Sequence, residues 1–131
     1  MFHAIRRFAV VVFVAACAVA QQAPDATHIV PGARVFIEEM KGFENYLAAA
    51  LNAKHVPVVV VTDEDKADFT ISGSSSSDFR RPEHQQATIK VVNKSGTVVF
   101  AYAFDQEHTL HGKQSAAEAC AKNLKKEILG H

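Results

Sequence analysis

The stretch ATIKVVNKSGTVVFAYAF, Ala87 to Phe104, decides the fold. Ala87 to Val92 and Thr97 to Phe104 read as two strands. Asn93-Lys94-Ser95-Gly96 joins them as a short hairpin connection, with glycine available for a left-handed position. Val98, Phe100, Tyr102 and Phe104 fall on one face of the second strand. The other face is Val99, Ala101 and Ala103, small enough to let a helix approach closely.

Upstream, Asp68 to Gly73 alternates, with Phe69 and Ile71 sharing a face. Between it and the hairpin, Ser74 to Gln86 (SSSSDFRRPEHQQ) is polar and low in complexity and reads as a mobile loop. Pro57-Val-Val-Val-Val61 is a continuous β-branched run, which suggests a central strand covered on both faces. Thr62-Asp63-Glu64-Asp65 places acidic groups where a one-turn helix would start. Phe43, Tyr46, Leu47, Ala50, Leu51 and Lys54 follow the spacing of an amphipathic helix that starts near Gly42. It ends before Val56-Pro57, because a residue preceding proline avoids the helical region. Ala33 to Glu38 is the first strand, with Val35 and Ile37 on one face.

Downstream, Ser115-Ala-Ala-Glu118 is a capping box in sequence. Ala117, Cys120, Ala121, Leu124 and Ile128 form the apolar stripe of a closing helix. Lys122, Lys125 and Lys126 face solvent toward its negative end, and Gly130 can terminate it. The expected fold is α/β (α+β), a single mixed sheet of about five strands in the order β-α-β-β-β-β-α, with two main helices packed on it. The first β-α-β should be a right-handed parallel crossover and the later strands antiparallel.

The 131 residues carry 14 basic and 14 acidic side chains, and 48% of them are apolar. That length fits one domain. Zero net charge argues against a nucleic-acid binder, which carries a basic excess. Two cysteines are too few for a disulfide scaffold or a four-thiolate zinc site. The totals mix unlike segments, however: residues 1–20 hold 17 of the apolar residues and two arginines.

Met1 to Arg7 is basic, and Phe8 to Ala20 is an uncharged run of 13 residues, short of the roughly 20 that span a bilayer. This is the pattern of a secretory signal peptide over residues 1–20. Ala18-Val19-Ala20 before Gln21 suits ordinary signal peptidase. Val14-Ala15-Ala16-Cys17 resembles a lipobox, in which Cys17 would carry lipid and hold the protein to a membrane. Residues 21–32 read as an extended lead-in and 33–131 as the single domain. Cleavage after Ala20 leaves 12 basic against 14 acidic residues and six of the seven histidines, so the balance turns positive as pH falls through about 6.5.

Ala67-Asp68-Phe69-Thr-Ile71-Ser-Gly73, the strand at Val35, the helix from Phe43 to Leu51, Val58 to Val61 and the Gly96 hairpin together carry a resemblance. Over residues 33–129 the order resembles the periplasmic domain shared by the curli-secretion protein CsgG and the penicillin-binding-protein activator LpoB. The resemblance implies an envelope protein that binds other envelope components, with no catalytic residues. The chain departs from CsgG in lacking amphipathic barrel hairpins, and from LpoB in lacking a long tether after the cysteine.

Few residues suggest chemistry of their own. His108 and His111, with Asp105 and Glu107 nearby, have metal-ligand types and spacing, and His84 and His131 could add to them. Loop histidines in water are the plainer reading. Asp63, Glu64 and Asp65 fit no EF-hand spacing. Cys120 on an apolar stripe reads as a small buried thiol. No nucleotide-binding glycine motif or serine elbow occurs, and no cofactor is implied. Phe79, Arg80 and Arg81 form the one basic-aromatic group on an expected loop. The leading expectation is a non-catalytic binding module of the bacterial envelope, acting through the Ser74–Gln86 loop and an exposed sheet edge. The expected partners are envelope proteins, with self-association allowed, no nucleic acid, and the membrane only through a lipid on Cys17. The alternative is a small periplasmic metal-binding protein or enzyme using His108 and His111.

Overall fold

The computed structural model describes residues 25–77, 80–81 and 83–130. The signal segment, Cys17, Ala20, Gln21, Phe79 and His131 lie outside them. The strands are β1 (Ala33–Ile37), β2 (Val58–Val61), β3 (Phe69–Ser77), β4 (Gln85–Asn93) and β5 (Val98–Gln106). The helices are α1 (Phe43–Ala53) and α2 (Gly112–Leu129), with one 3-10 turn at Glu64–Lys66. The order and the single mixed five-stranded sheet are those the sequence predicts.

The sheet runs β2-β1-β3-β4-β5. β1 is parallel to both neighbours, and β3, β4 and β5 form an antiparallel meander. The valine run is therefore an edge strand, not the central one. Val59 and Val60 are about half exposed because, among the described residues, no strand pairs beyond them. Four consecutive valines satisfy strand sterics at an edge as well as at a centre, so composition alone could not place them.

β4 alternates strictly, burying Ala87, Ile89 and Val91 and exposing Gln86, Thr88 and Lys90. Its hairpin with β5 is organised by Asn93. The Asn93 side-chain oxygen accepts from the Ser95 and Thr97 N–H groups at 3.0 and 2.9 Å, and its amide donates to the Ala26 carbonyl at 2.9 Å. One buried side chain thus closes the turn, with Gly96 at φ 83°, and fastens the lead-in beside it.

A bulge follows at once. Val91 pairs with Phe100 but Val92 pairs with Val98, leaving Val99 as the extra residue. An extra residue reverses the side-chain alternation. Val98 therefore leaves the face of Phe100, Tyr102 and Phe104, where sequence parity puts it, and is half exposed on the opposite side.

Both helices cover one face of the sheet. Phe43, Leu47 and Leu51 of α1, and Ala117, Cys120, Ala121 and Leu124 of α2, join Val35, Ile71, Ile89 and Val91 in one core. Phe100, Tyr102 and Phe104 pack against that core, so α2 sits on the aromatic face of β5. Ala101 and Ala103 are left exposed, the reverse of the expectation from their size. Burying three rings removes far more apolar area from water than burying two methyl groups, and that difference decides the face. Tyr46, on the expected stripe of α1, is 45% exposed.

The helix ends follow from local chemistry. α1 starts after Gly42, and Glu44 reaches back to accept from the Met40 and Gly42 N–H groups at 2.8 and 2.9 Å. It closes with Val56 N–H donating to the Leu51 carbonyl and His55 N–H to the Asn52 carbonyl, His55 being left-handed at φ 53°. That is a Schellman ending with histidine where glycine is usual. The Lys125 ammonium donates to the Lys54 carbonyl at 2.9 Å and joins the two helices there. α2 starts one turn before the Ser115 box: Ser115 lies inside the first turn, its N–H bonded to the His111 carbonyl.

Candidate functional site

The expected loop of Ser74–Gln86 is mostly strand. β3 runs on through the serines to Ser77 and β4 resumes at Gln85. A polar run reads as a loop only while its partner is unknown; here Ser74 and Ser76 face Thr88 and Gln86 across the ladder. Gln85 is buried, and its amide donates to Ser75 Oγ and to the Ser76 and Gln86 carbonyls.

The hairpin tip is clasped to the β5–α2 connection. The Arg81 guanidinium meets the Glu107 carboxylate at 2.8 Å, and His84 Nε2 lies 2.6 Å from Asp105 Oδ1. Thr109 donates from both its N–H and its hydroxyl to the Glu83 carbonyl at 3.0 Å. The hydrogen bond with His84 is the main cause holding the Asp105 carboxyl below its ordinary range, helped by Gln86 and the charge of Arg81. Asp105 and Glu107 are thus joined to the hairpin tip. His108 and His111 are exposed; His108 has φ 59° and His111 precedes the first turn of α2. Among the described residues, no group of three or more His, Cys, Asp and Glu side chains is placed to hold a metal ion. Arg80 is exposed at the same tip. Cys120 is fully buried, and burial pushes its thiol up to about 12, which keeps it protonated at neutral pH.

The feature sequence reasoning missed is the sheet face opposite the helices. Its registers define rows across the sheet. One runs Val61, Phe36, Thr70, Val92, Val98, an almost wholly apolar band from edge to edge. Four of its members are part-buried and Val98 is 51% exposed. The next rows are small and polar: Ser72, Lys90 and Ala101, then Ser74, Thr88 and Ala103. With Glu38 they line a shallow open depression, in which the Ser74 and Thr88 hydroxyls lie 3.2 Å apart. The signal was present as Ser or Thr at every second position of β3, but it became legible only with the pairing.

The sequence matches no family model and no curated protein. Among solved structures, the chain is similar to a minor lipoprotein from Acinetobacter baumannii at 11% identity and TM-score 0.42, over 78% of this chain and 94% of that one. It is also similar to an uncharacterized lipoprotein B from Nitrosomonas europaea at 9% identity and TM-score 0.33, over 85% of each chain. Likeness at this level says nothing of what this chain does. Among the described residues no helix is long and apolar enough to cross a membrane.

Proposed function

We propose that this chain is an exported envelope protein that acts as a non-catalytic binding module, holding another envelope protein on the open face of its sheet. The observation that carries the reading is the apolar band Val61–Phe36–Thr70–Val92–Val98 lying on a face that neither helix covers. An open, shallow surface with an apolar band beside rows of small polar side chains suits contact with a protein better than enclosure of a small molecule. A second contact, with an acidic partner, is proposed at Arg80 and Arg81 of the hairpin tip, next to Phe79 in the sequence. Export rests on Met1 to Gln21, with cleavage after Ala20 or, for an anchored form, a lipid on Cys17. The resemblance of residues 33–129 to the CsgG and LpoB domain supports a binding role and is a proposal at the family level.

The test is position-specific photocrosslinking in the intact envelope. A photoreactive residue at Ala101, on the open face, should capture a partner, whereas one at Lys122, exposed on α2, should not. Val98→Lys should cut the captured amount several-fold. Equal capture at both positions, or none at Ala101, would sink the reading.

A further inference from the structure

The two margins of the sheet are built differently. β5 carries the bulge at Val99 and ends in Asp105 and Gln106, devices that discourage another strand from pairing. β2 is four valines with no charge and no bulge, Val59 and Val60 being 52% and 44% exposed. Pro57 stands at its start without guarding its outer side. The Pro57 carbonyl accepts from the Gly32 N–H at 2.7 Å, on the β1 side. In an extended strand a residue's nitrogen and carbonyl point the same way, so the proline nitrogen also faces β1. The outer row therefore presents the Val58 carbonyl, both backbone groups of Val60 and the Thr62 N–H. The Val58 N–H is turned back onto the Val56 carbonyl at 2.8 Å.

We propose that β2 pairs antiparallel with β2 of a second copy of this chain, about a two-fold axis between their Val60 residues. In that register Val60 faces Val60, Val59 faces Val61, and Val58 faces Thr62. Each opposed pair then lies on a common face of the sheet, as pleating requires. The Val60 residues exchange both hydrogen bonds, and each Thr62 N–H donates to the other copy's Val58 carbonyl. Val59 and Val61 of the two copies meet on the open face, where the Phe36 row of each ends.

Charge at the strand ends selects a second copy over a foreign strand. Lys54 and His55 precede β2, and Asp63, Glu64 and Asp65 follow it, all exposed. Antiparallel self-pairing lays the basic end of each strand toward the acidic end of the other, twice over, so this segment is self-complementary in charge as well as in shape. Parallel pairing would set like charges together.

Size-exclusion chromatography with light scattering on the chain recovered after export tests this. Wild type and Val98→Lys, which alters the other margin, should run at twice the chain mass. Val59→Lys and Val60→Pro should run at the chain mass with unchanged circular dichroism, and added salt should shift wild type toward the monomer. In wild type itself the Val60 and Thr62 amides should exchange slowly and speed up on dilution. Chain mass for wild type at every concentration, or fast exchange of those amides throughout, would overturn the pairing and leave the edge open to a foreign strand. Since Val98→Lys is expected to lose partner capture but keep the dimer, failure of this pairing and failure of the open-face reading are distinguishable.

Discussion

Two side-chain positions carry more of the architecture than their size suggests. Asn93 is 6% exposed and satisfies two turn N–H groups and the Ala26 carbonyl. Replacing it with alanine strands those groups and frees the lead-in. Asn93→Ala should cost roughly 2–3 kcal/mol, read as a lower midpoint in urea unfolding. Gly73 closes the ADFTISG motif, and the reason is steric. A Cβ there would sit 2.0 Å from the Thr88 carbonyl oxygen and 3.0 Å from the Ile89 Cα, both backbone atoms that cannot swing aside. Gly73→Ala should therefore destabilise by at least about 2 kcal/mol, with loss of amide protection at the β3–β4 pairing around Thr88. A stability equal to wild type would mean the ladder relaxes there at no cost.

Among the elements, those whose signals are local were legible. α1, the Asn93-Gly96 hairpin, the Asp63 turn and the stripe of α2 are signalled by residues only a few positions apart, and each stands where those residues predict. What failed depended on partners distant in sequence. The valine strand needed its neighbours to be ranked as edge, the serine strand needed β4, and the face of β5 needed a bulge that no single residue announces. The histidines were legible as residue types but not as an arrangement, because His84 turned to Asp105 while His108 and His111 stayed exposed. The clasp between the hairpin tip and the β5–α2 connection also gives a pH prediction. Asp105 is held below its usual range in the folded chain, chiefly by His84. Its contribution is therefore present above the unfolded value of about 4 and is lost as pH falls through the lower folded value. Asp105→Asn should lower the melting temperature near pH 6 and converge with wild type in acid; a gap that widens on acidification would contradict the assignment.

At the scale of the molecule the design is one-sided. Among the described residues, the large buried side chains lie between the helices and one face of the sheet, and neither helix covers the other face. The sheet is also asymmetric in how it is assembled. An interior strand, β1, is the first strand among the described residues, yet it is flanked by β2, which follows it after α1, and by β3, which comes later still. β3 pairs with β4 and β4 with β5 across small loops; β1 gains its partners only across longer ones, which cost more entropy to close. Synthesis from the N-terminus delivers the keystone before either stone that holds it. Until β3 emerges, β1 and β2 are at most a two-stranded parallel ribbon, a pairing too small to stand alone in water. The order of emergence thus makes residues 33–61 the part of the chain most exposed to wrong pairing before folding, and completion of β3 the event that ends that exposure.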